Sequence, residues 1–591
     1  MYTGKNLAIL GLSLLSVSSF ASKKVDDSKT NVILIITDDQ GYGDLGIHKN
    51  PQVKTPVIDK LASQSIKFSN FYVSPVCAPT RSSLMTGRYS IRTGVYDTYS
   101  GGSIMASNET TLAEVFNSAG YQTGIFGKWH LGDSYPSRPQ DQGFTTSVWH
   151  LSGGIGQVGD VFNYDKGNRS YFDPILWKNG KQFQSKGYCS DVFTNEAIDF
   201  IKQQKDQPFF LYLSYNAPHI PLQVPEEYYN KFKDVDIDPQ YFKNRGEYVA
   251  EMSERDKEAA RKVYAMVNNI DDNIGRLMTT LKTEGLDENT IIIFMTDNGP
   301  QQYRYTGGFR GKKSLVREGG IHVPFYIKTP KSLSNVKEIN EPAAHIDILP
   351  TLAELCNIDY HTNHKLDGIS FASSIKGEKK TATNRSLFFE WQRSYPELYR
   401  NMAVRKGDYK LIGNCGANAN IEDFELYNLK SDPYETTNII DKEEKTATIL
   451  KKELEGWYKD IMDSPNINKL QRIIIGSPHE NPVILNRNDA RGMQLIWDQD
   501  DIHVSWDVTI AKEGHYSAKC YFRNPIDKTG SMLFRIGNKN ITIPNKAKGI
   551  KEITIDDIYL NEGDFTIDGW YLVDWKTHYT PFYIVLEKKL F

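Results

Sequence analysis

Two apolar runs set the pattern of this chain. Residues 31–41 (NVILIITDDQG) and 289–299 (NTIIIFMTDNG) carry almost no polar position until each breaks into Thr-Asp-Asp or Thr-Asp-Asn and then glycine. Strands without alternation are buried on both faces, as in a parallel sheet covered by helices. Residues 208–219 (PFFLYLSYNAPH) repeat the design, again with polar residues at the carboxyl end. Ahead of the second run, Val263, Val267, Ile270, Ile274, Leu277 and Leu281 recur at helical spacing until Gly285 ends the series. A helix leading into a buried strand is the unit of a doubly wound α/β domain, whose ligands bind beyond the carboxyl ends of the strands.

From about residue 385 the pattern changes to short strands (SLFFEW, NMAVRKGDYKLI, FELYNL) followed by a helix over 446–462, which predicts a small antiparallel α+β subdomain. Beyond about residue 480 alternation of period two takes over (IHVSWDVTI, HYSAKCYF, FTIDGWYLVDW), with Gly, Asn and Asp turns, which predicts a β-sandwich. The expected division is 27–375 for the catalytic α/β domain, 380–470 for its C-terminal subdomain and 480–591 for an accessory sandwich. The length of 591 residues fits several cores.

Net charge changes the picture little. The formal value of -3 gives no footprint for nucleic acid or for an anionic membrane surface, so any anion site must be local. The N-terminus reads as a cleavable leader over 1–21: Lys5, an apolar run over 7–17, then Ser19-Phe20-Ala21. A secreted or periplasmic protein without a membrane anchor is expected. Cys77, Cys189, Cys356, Cys415 and Cys520 are scattered and odd in number, which is no disulfide framework.

The candidate chemistry lies at the strand ends. Asp38, Asp39, Asp297 and Asn298 are hard oxygen ligands placed alike at one sheet edge, suited to Ca²⁺ or Mg²⁺. Residues 73–89 (VSPVCAPTRSSLMTGRY) put Cys77 just before the N-terminus of a helix whose first turn suits Pro79 and whose end suits Gly87, where unpaired N–H groups favour an anion. A low-pKa thiolate nucleophile is one reading. Cysteine phosphatases, however, need arginine six positions after the cysteine; Ser83 stands there, and Arg81 comes two residues too early.

Cys77-x-Pro79-x-Arg81 followed by Leu-Met-Thr-Gly-Arg88 resembles the signature of the type I, formylglycine-dependent sulfatases. Residues 120–132 (GYQTGIFGKWHLG), with Lys128 and His130, resemble the second signature. The Asp38-Asp39 pair, SYNAPH with His219, TDNG with Asp297-Asn298 and GKKSLVREGG with Lys313 follow in family order. The resemblance spans about 31–460. It implies an alkaline-phosphatase-like fold, with a mixed sheet, and conversion of Cys77 to formylglycine by a sulfatase-maturing enzyme. It also implies Ca²⁺, with Mg²⁺ as the alternative, on Asp38, Asp39, Cys77, Asp297 and Asn298. Arg81, Lys128 and Lys313 would hold the sulfate, His219 would protonate the leaving alcohol, and His130 would take a proton from the nucleophilic residue. Many relatives read Glu-Gly-Gly-Ile-Arg-Val-Pro where this chain has His322, leaving packing and a substrate subsite open as its role.

Export and the added sandwich favour a sulfated carbohydrate as substrate. Phosphate-ester or phosphonate hydrolysis and a catalytically silent glycan-binding protein are the competing readings. His150 and Arg304 are candidates for a substrate subsite or for the surface. Trp497, Trp506, Trp570 and Trp575 are candidates for a sugar platform or for sandwich core.

Overall fold

The computed structural model describes residues 1, 29–164, 170–237, 247–381, 384–492 and 499–589. Apart from Met1, the expected leader lies outside them, as does Trp497. A ten-stranded mixed sheet organises the first part of the chain. At its centre Asn31–Thr37 runs parallel to Thr290–Thr296 on one side and to Phe209–Ser214 on the other. The parallel order continues through Gln122–Lys128 to Thr146–His150, and antiparallel neighbours flank this centre.

All seven residues of Asn31–Thr37 are buried. Val32, Leu34 and Ile36 enter the core on one face, and Ile33 and Ile35 enter the core on the other. Helices cover both faces, so both sets of side chains must be apolar and the sequence shows no alternation. Register then fixes the site: Thr37 lies opposite Thr296, so Asp38 and Asp297 leave the sheet at the same level.

The Glu254–Thr283 helix starts at a capping box between Ser253 and Asp256, and it buries the predicted stripe from Val263 to Leu281. Burial contributes about 1.5–3 kcal/mol for each such side chain. The small sheet comprises Ser386–Glu390, Met402–Lys406, Tyr409–Gly413 and Glu425–Asn428, all antiparallel. Against it the Glu444–Met462 helix packs Leu450, Leu454 and Ile461.

The terminal part is a sandwich of a seven-stranded and a four-stranded sheet. Its first strand, Ile473–Ile475, already lies ahead of residue 480 and pairs with Val504–Ile510. Trp506 is fully buried in its core and donates its indole N–H to the Asn486 carbonyl. Trp575 is exposed, and the half-buried Trp570 stacks on His503. All five cysteines are unpaired. No helix among the described residues is long and apolar enough to cross a membrane.

Candidate active site

The helix Cys77–Thr86 begins at Cys77 itself, with Val76 as its N-cap, one residue earlier than the sequence suggests. Pro79 sits in the first turn, where its missing N–H has no partner to lose. Gly87 closes the helix at φ 68°, a conformation that glycine adopts without strain. Burial pushes the Cys77 thiol up and Lys128 and Lys313 oppose this only in part, so a resting thiolate is disfavoured.

The Cys77 Sγ lies 3.4 Å from His130 Nδ1, and His130 Nε2 lies 2.7 Å from the Thr98 carbonyl oxygen. A carbonyl only accepts, so Nε2 carries the ring proton and Nδ1 presents a lone pair to residue 77. Burial, with Lys128 behind it, holds the imidazole well below its ordinary pKa and therefore neutral. His130 and Asp39 both sit at φ 62°, a left-handed conformation that costs about 1–3 kcal/mol away from glycine and marks positions held by their surroundings.

Around this pair the three carboxylates are fully buried. Lys128 Nζ donates to Asp38 at 2.6 Å, Lys313 Nζ to Asp39 at 2.6 Å, and Arg81 Nη2 to Asp297 at 2.8 Å. Arg81 is fixed further by Tyr212, Ser214 and the Lys128 carbonyl, all from the two neighbouring strands Phe209–Ser214 and Gln122–Lys128. His219 points Nε2 toward Asp39, 3.6 Å away, and its Nδ1 donates to the Ile220 carbonyl. Burial would raise Asp38, yet Lys128, His219, Arg81 and Lys313 hold it well below the usual carboxylate range. Burial and the neighbouring Asp38 push Asp297 up to about 7.

Three oxygens in this cluster have no hydrogen-bond partner although they are buried: Asp38 Oδ1, Asp39 Oδ2 and Asn298 Oδ1. Asn298 turns its amide N–H toward Asp39 at 2.8 Å, which leaves its carbonyl oxygen free to face a cation. Ligand atoms of Asp38, Cys77 and Asp297 lie within 4.8 Å of one another, as do those of Asp38, Asp39 and His219. Buried oxygens without donors are costly, and an all-oxygen set fits a hard divalent ion. Three carboxylates and the cations Arg81, Lys128 and Lys313 cancel, so a divalent ion would leave the site positive for a sulfate ester and a developing oxyanion.

All the residues expected from the sequence thus meet at one sheet edge. Arg304, His150 and His322 are buried and do not line the cavity above Cys77. Arg304 is buried and paired with Asp44 at 2.7 Å, and its Nη2 donates to the Asp39 carbonyl, so it fixes the loop carrying Asp39. His150 is fully buried beside the Leu151 carbonyl. His322 bonds Glu318 at 3.1 Å and the Ser69 carbonyl; Glu318 in turn receives Lys410 of the small sheet. His322 therefore packs among Tyr42, Tyr72 and Phe309 of the catalytic part and reaches the subdomain only through Glu318. Thr98, Gln157, Gln301, Lys312 and Arg393 also line the cavity; only Lys312, which adjoins Lys313, has a signal in the sequence.

The sandwich supports this site from outside. Asn488 accepts from Gly101 N–H at 2.9 Å and donates to Ser103, and Tyr99 lies within the sandwich core, so the loop bearing Thr98 is pinned there. Asn486 donates to Asp133 at 2.8 Å, and Asp133 holds the Ser152 N–H at 2.9 Å. The next residue is Gly153, where a Cβ would come within 2.6 Å of the His130 ring. A chain ending before Ile473 is therefore expected to lose about a hundredfold in kcat even on a small aryl sulfate, because the His130 ring loses its seat. Sulfate release measured on truncated protein with native circular dichroism checks this; wild-type kcat would make the support irrelevant.

Residues 30–358 match the family model of sulfatases, and 308–460 match that of the N-sulphoglucosamine sulphohydrolase C-terminal region. The chain belongs to the sulfatase family. Its relatives are named sulfatases, consistent with a sulfuric ester hydrolase, and the mixed sheet with its antiparallel C-terminal additions agrees with sulfatase structures. Human arylsulfatase A is 30% identical over 472 residues, covering 69% of this chain and 83% of its own. The N-acetylglucosamine-6-O-sulfatase of Bacteroides thetaiotaomicron is 25% identical over 580 residues, covering 84% of this sulfatase and 96% of its own chain. Among solved structures, Ps i-CgsB in complex with k-i-k-neocarrahexaose superposes with a TM-score of 0.63 at 28% identity, covering 74% of this chain and 94% of its own.

Proposed function

We propose that this sulfatase is exported and removes sulfate from sulfated carbohydrates, with Cys77 matured to formylglycine and a Ca²⁺ or Mg²⁺ ion at Asp38, Asp39, Asp297, Asn298 and residue 77. The observation that carries the reading is the set of three buried oxygens without donors beside a residue 77 that faces a neutral, base-form His130. The leader-like residues 1–21 support export, and the sugar in the names of the relatives supports the substrate class.

The cation supplies charge neutralisation at the nucleophile. Residue 77, once matured and hydrated, would carry two hydroxyls on one carbon: one would bond sulfur as the alcohol leaves, and loss of the other's proton to His130 would reform the carbonyl, break the carbon–oxygen bond and release sulfate. Arg81, Lys128 and Lys313 hold sulfate oxygens; each is already oriented by a carboxylate, and Arg81 is further locked by Ser214 and Tyr212. His130 Nδ1 takes a proton from residue 77, and the Thr98 carbonyl steadies the resulting imidazolium at Nε2. His219 presents Nε2 to the leaving oxygen. Burial holds its pKa below the ordinary value although Asp38 and Asp39 oppose this, so the proton that Nε2 gives to the leaving oxygen must be drawn onto the ring by the arriving anionic sulfate.

The test is release of free sulfate from defined sulfated mono- and oligosaccharides beside phosphorylated counterparts, using protein with the modified residue verified by mass spectrometry. Sulfate release with at most trace phosphate release is expected. Equal rates on the phosphorylated sugars would overturn the reading.

A further inference from the structure

The cavity above Cys77 has a volume of about 380 Å³, and Gln157, Gln301, Lys312, Lys313 and Arg393 are among the residues that line it. No carboxylate lines it among the described residues. Lys313 belongs to the sulfate-holding set through Asp39, but Lys312 and Arg393 take no part in that chemistry. Lys312 makes no ion pair among the described residues: its Nζ donates to the Gln301 carbonyl at 3.2 Å and lies 4.5 Å from the Tyr303 ring centre.

Arg393 is more constrained. Its Nη1 donates to Asp97 at 2.7 Å and to Thr98 Oγ1 at 3.0 Å, and its guanidinium lies 4.1 Å from the Tyr99 ring centre and 4.8 Å from that of Trp391. Those contacts hold the plane while Nε and Nη2 have no hydrogen-bond partner among the described residues. The side chain remains 38% exposed at the cavity. A guanidinium held on one edge and open on the other is a ready donor pair for a planar or tetrahedral oxyanion.

We infer that the substrate carries a second anionic group, a sulfate or a carboxylate, beside the scissile sulfate, and that Arg393 binds it with Lys312 assisting. This rests on the sulfatase reading above and adds to it a charge requirement on the part of the substrate that leaves. The second anion binds outside the carboxylate cluster, so it selects substrates without altering the chemistry at residue 77.

The test compares kcat/KM of the full, matured chain on three forms of one sugar: singly sulfated, doubly sulfated, and singly sulfated with an adjoining uronate. The wild type is expected to favour the dianionic forms by about tenfold to a hundredfold. Arg393→Gln is expected to collapse that ratio toward one through a change in KM. Lys312→Gln, which breaks no ion pair, should reduce the ratio by a smaller factor and serves if Arg393→Gln fails to fold. The two dianionic arms identify sulfate or carboxylate as the preferred group. Equal rates of the wild type on all three, or an unchanged ratio in both variants, would overturn the inference alone. Absence of sulfate release from every form, and from the wider panel of sulfated sugars, would overturn the sulfated-carbohydrate reading itself.

Discussion

Cys77→Ala is expected to lower kcat for sulfate release by about four to six orders of magnitude. The loss should occur without global unfolding, because the side chain is small and the helix N-cap is Val76, not Cys77. Burial keeps the thiol protonated in the unmodified chain, so the sulfur itself is poorly placed to act as the nucleophile. Cys77→Ser sharpens the expectation: a single hydroxyl in front of His130 Nδ1 can attack once, but the resulting sulfate ester has no second hydroxyl to expel it. One slow turnover followed by a stall is the expected time course. Mass spectrometry of the peptide containing residue 77 should find an aldehyde reactive toward hydrazide in active protein. Multiple turnover by protein verified to retain the thiol would remove formylglycine from the account.

Asp297→Ala is expected to lower kcat by about three orders of magnitude or more, and chelation of the wild type should do the same reversibly. Asp297 is a partner of Arg81 as well as a member of the oxygen cluster, so its loss removes a ligand and frees the guanidinium together. Cation binding also has a predicted pH dependence. Burial and Asp38 push Asp297 up to about 7, so below that pH an entering ion must displace a proton, and above it there is none to displace. The rise in Tm on adding Ca²⁺ should therefore be full above about pH 7 and shrink as the pH falls through it. A Ca²⁺-induced shift that is constant with pH, or undiminished in Asp297→Ala, would contradict this assignment.

The sequence disclosed the strand ends because buried strands admit so few polar residues: Asp38 and Asp297 stand out at the ends of runs with no other charge. The helical stripe from Val263 to Leu281 was legible for the matching reason that one face of that helix meets the core. Thr98 was invisible because it acts on His130 through a backbone carbonyl, and any residue carries a carbonyl. Arg393 was invisible because the cavity is assembled from the subdomain and the catalytic domain, and local periodicity carries no information on that pairing. His322 could be placed only once Glu318, Lys410 and Ser69 were seen around it.

Tyr99 belongs to the catalytic part by sequence and to the sandwich core by position. Its neighbours Thr98, Gly101 and Ser103 couple His130, which faces residue 77, to a segment more than 350 residues later in the chain. The terminal segment therefore cannot be shuffled among relatives as a detachable glycan-binding module. A sandwich transplanted from another lineage would arrive with surface loops fitted to a different partner, and the recipient histidine would settle at a different angle. Substitutions at Tyr99, Asp133, Asn486 and Asn488 are accordingly expected to compensate one another across the two stretches.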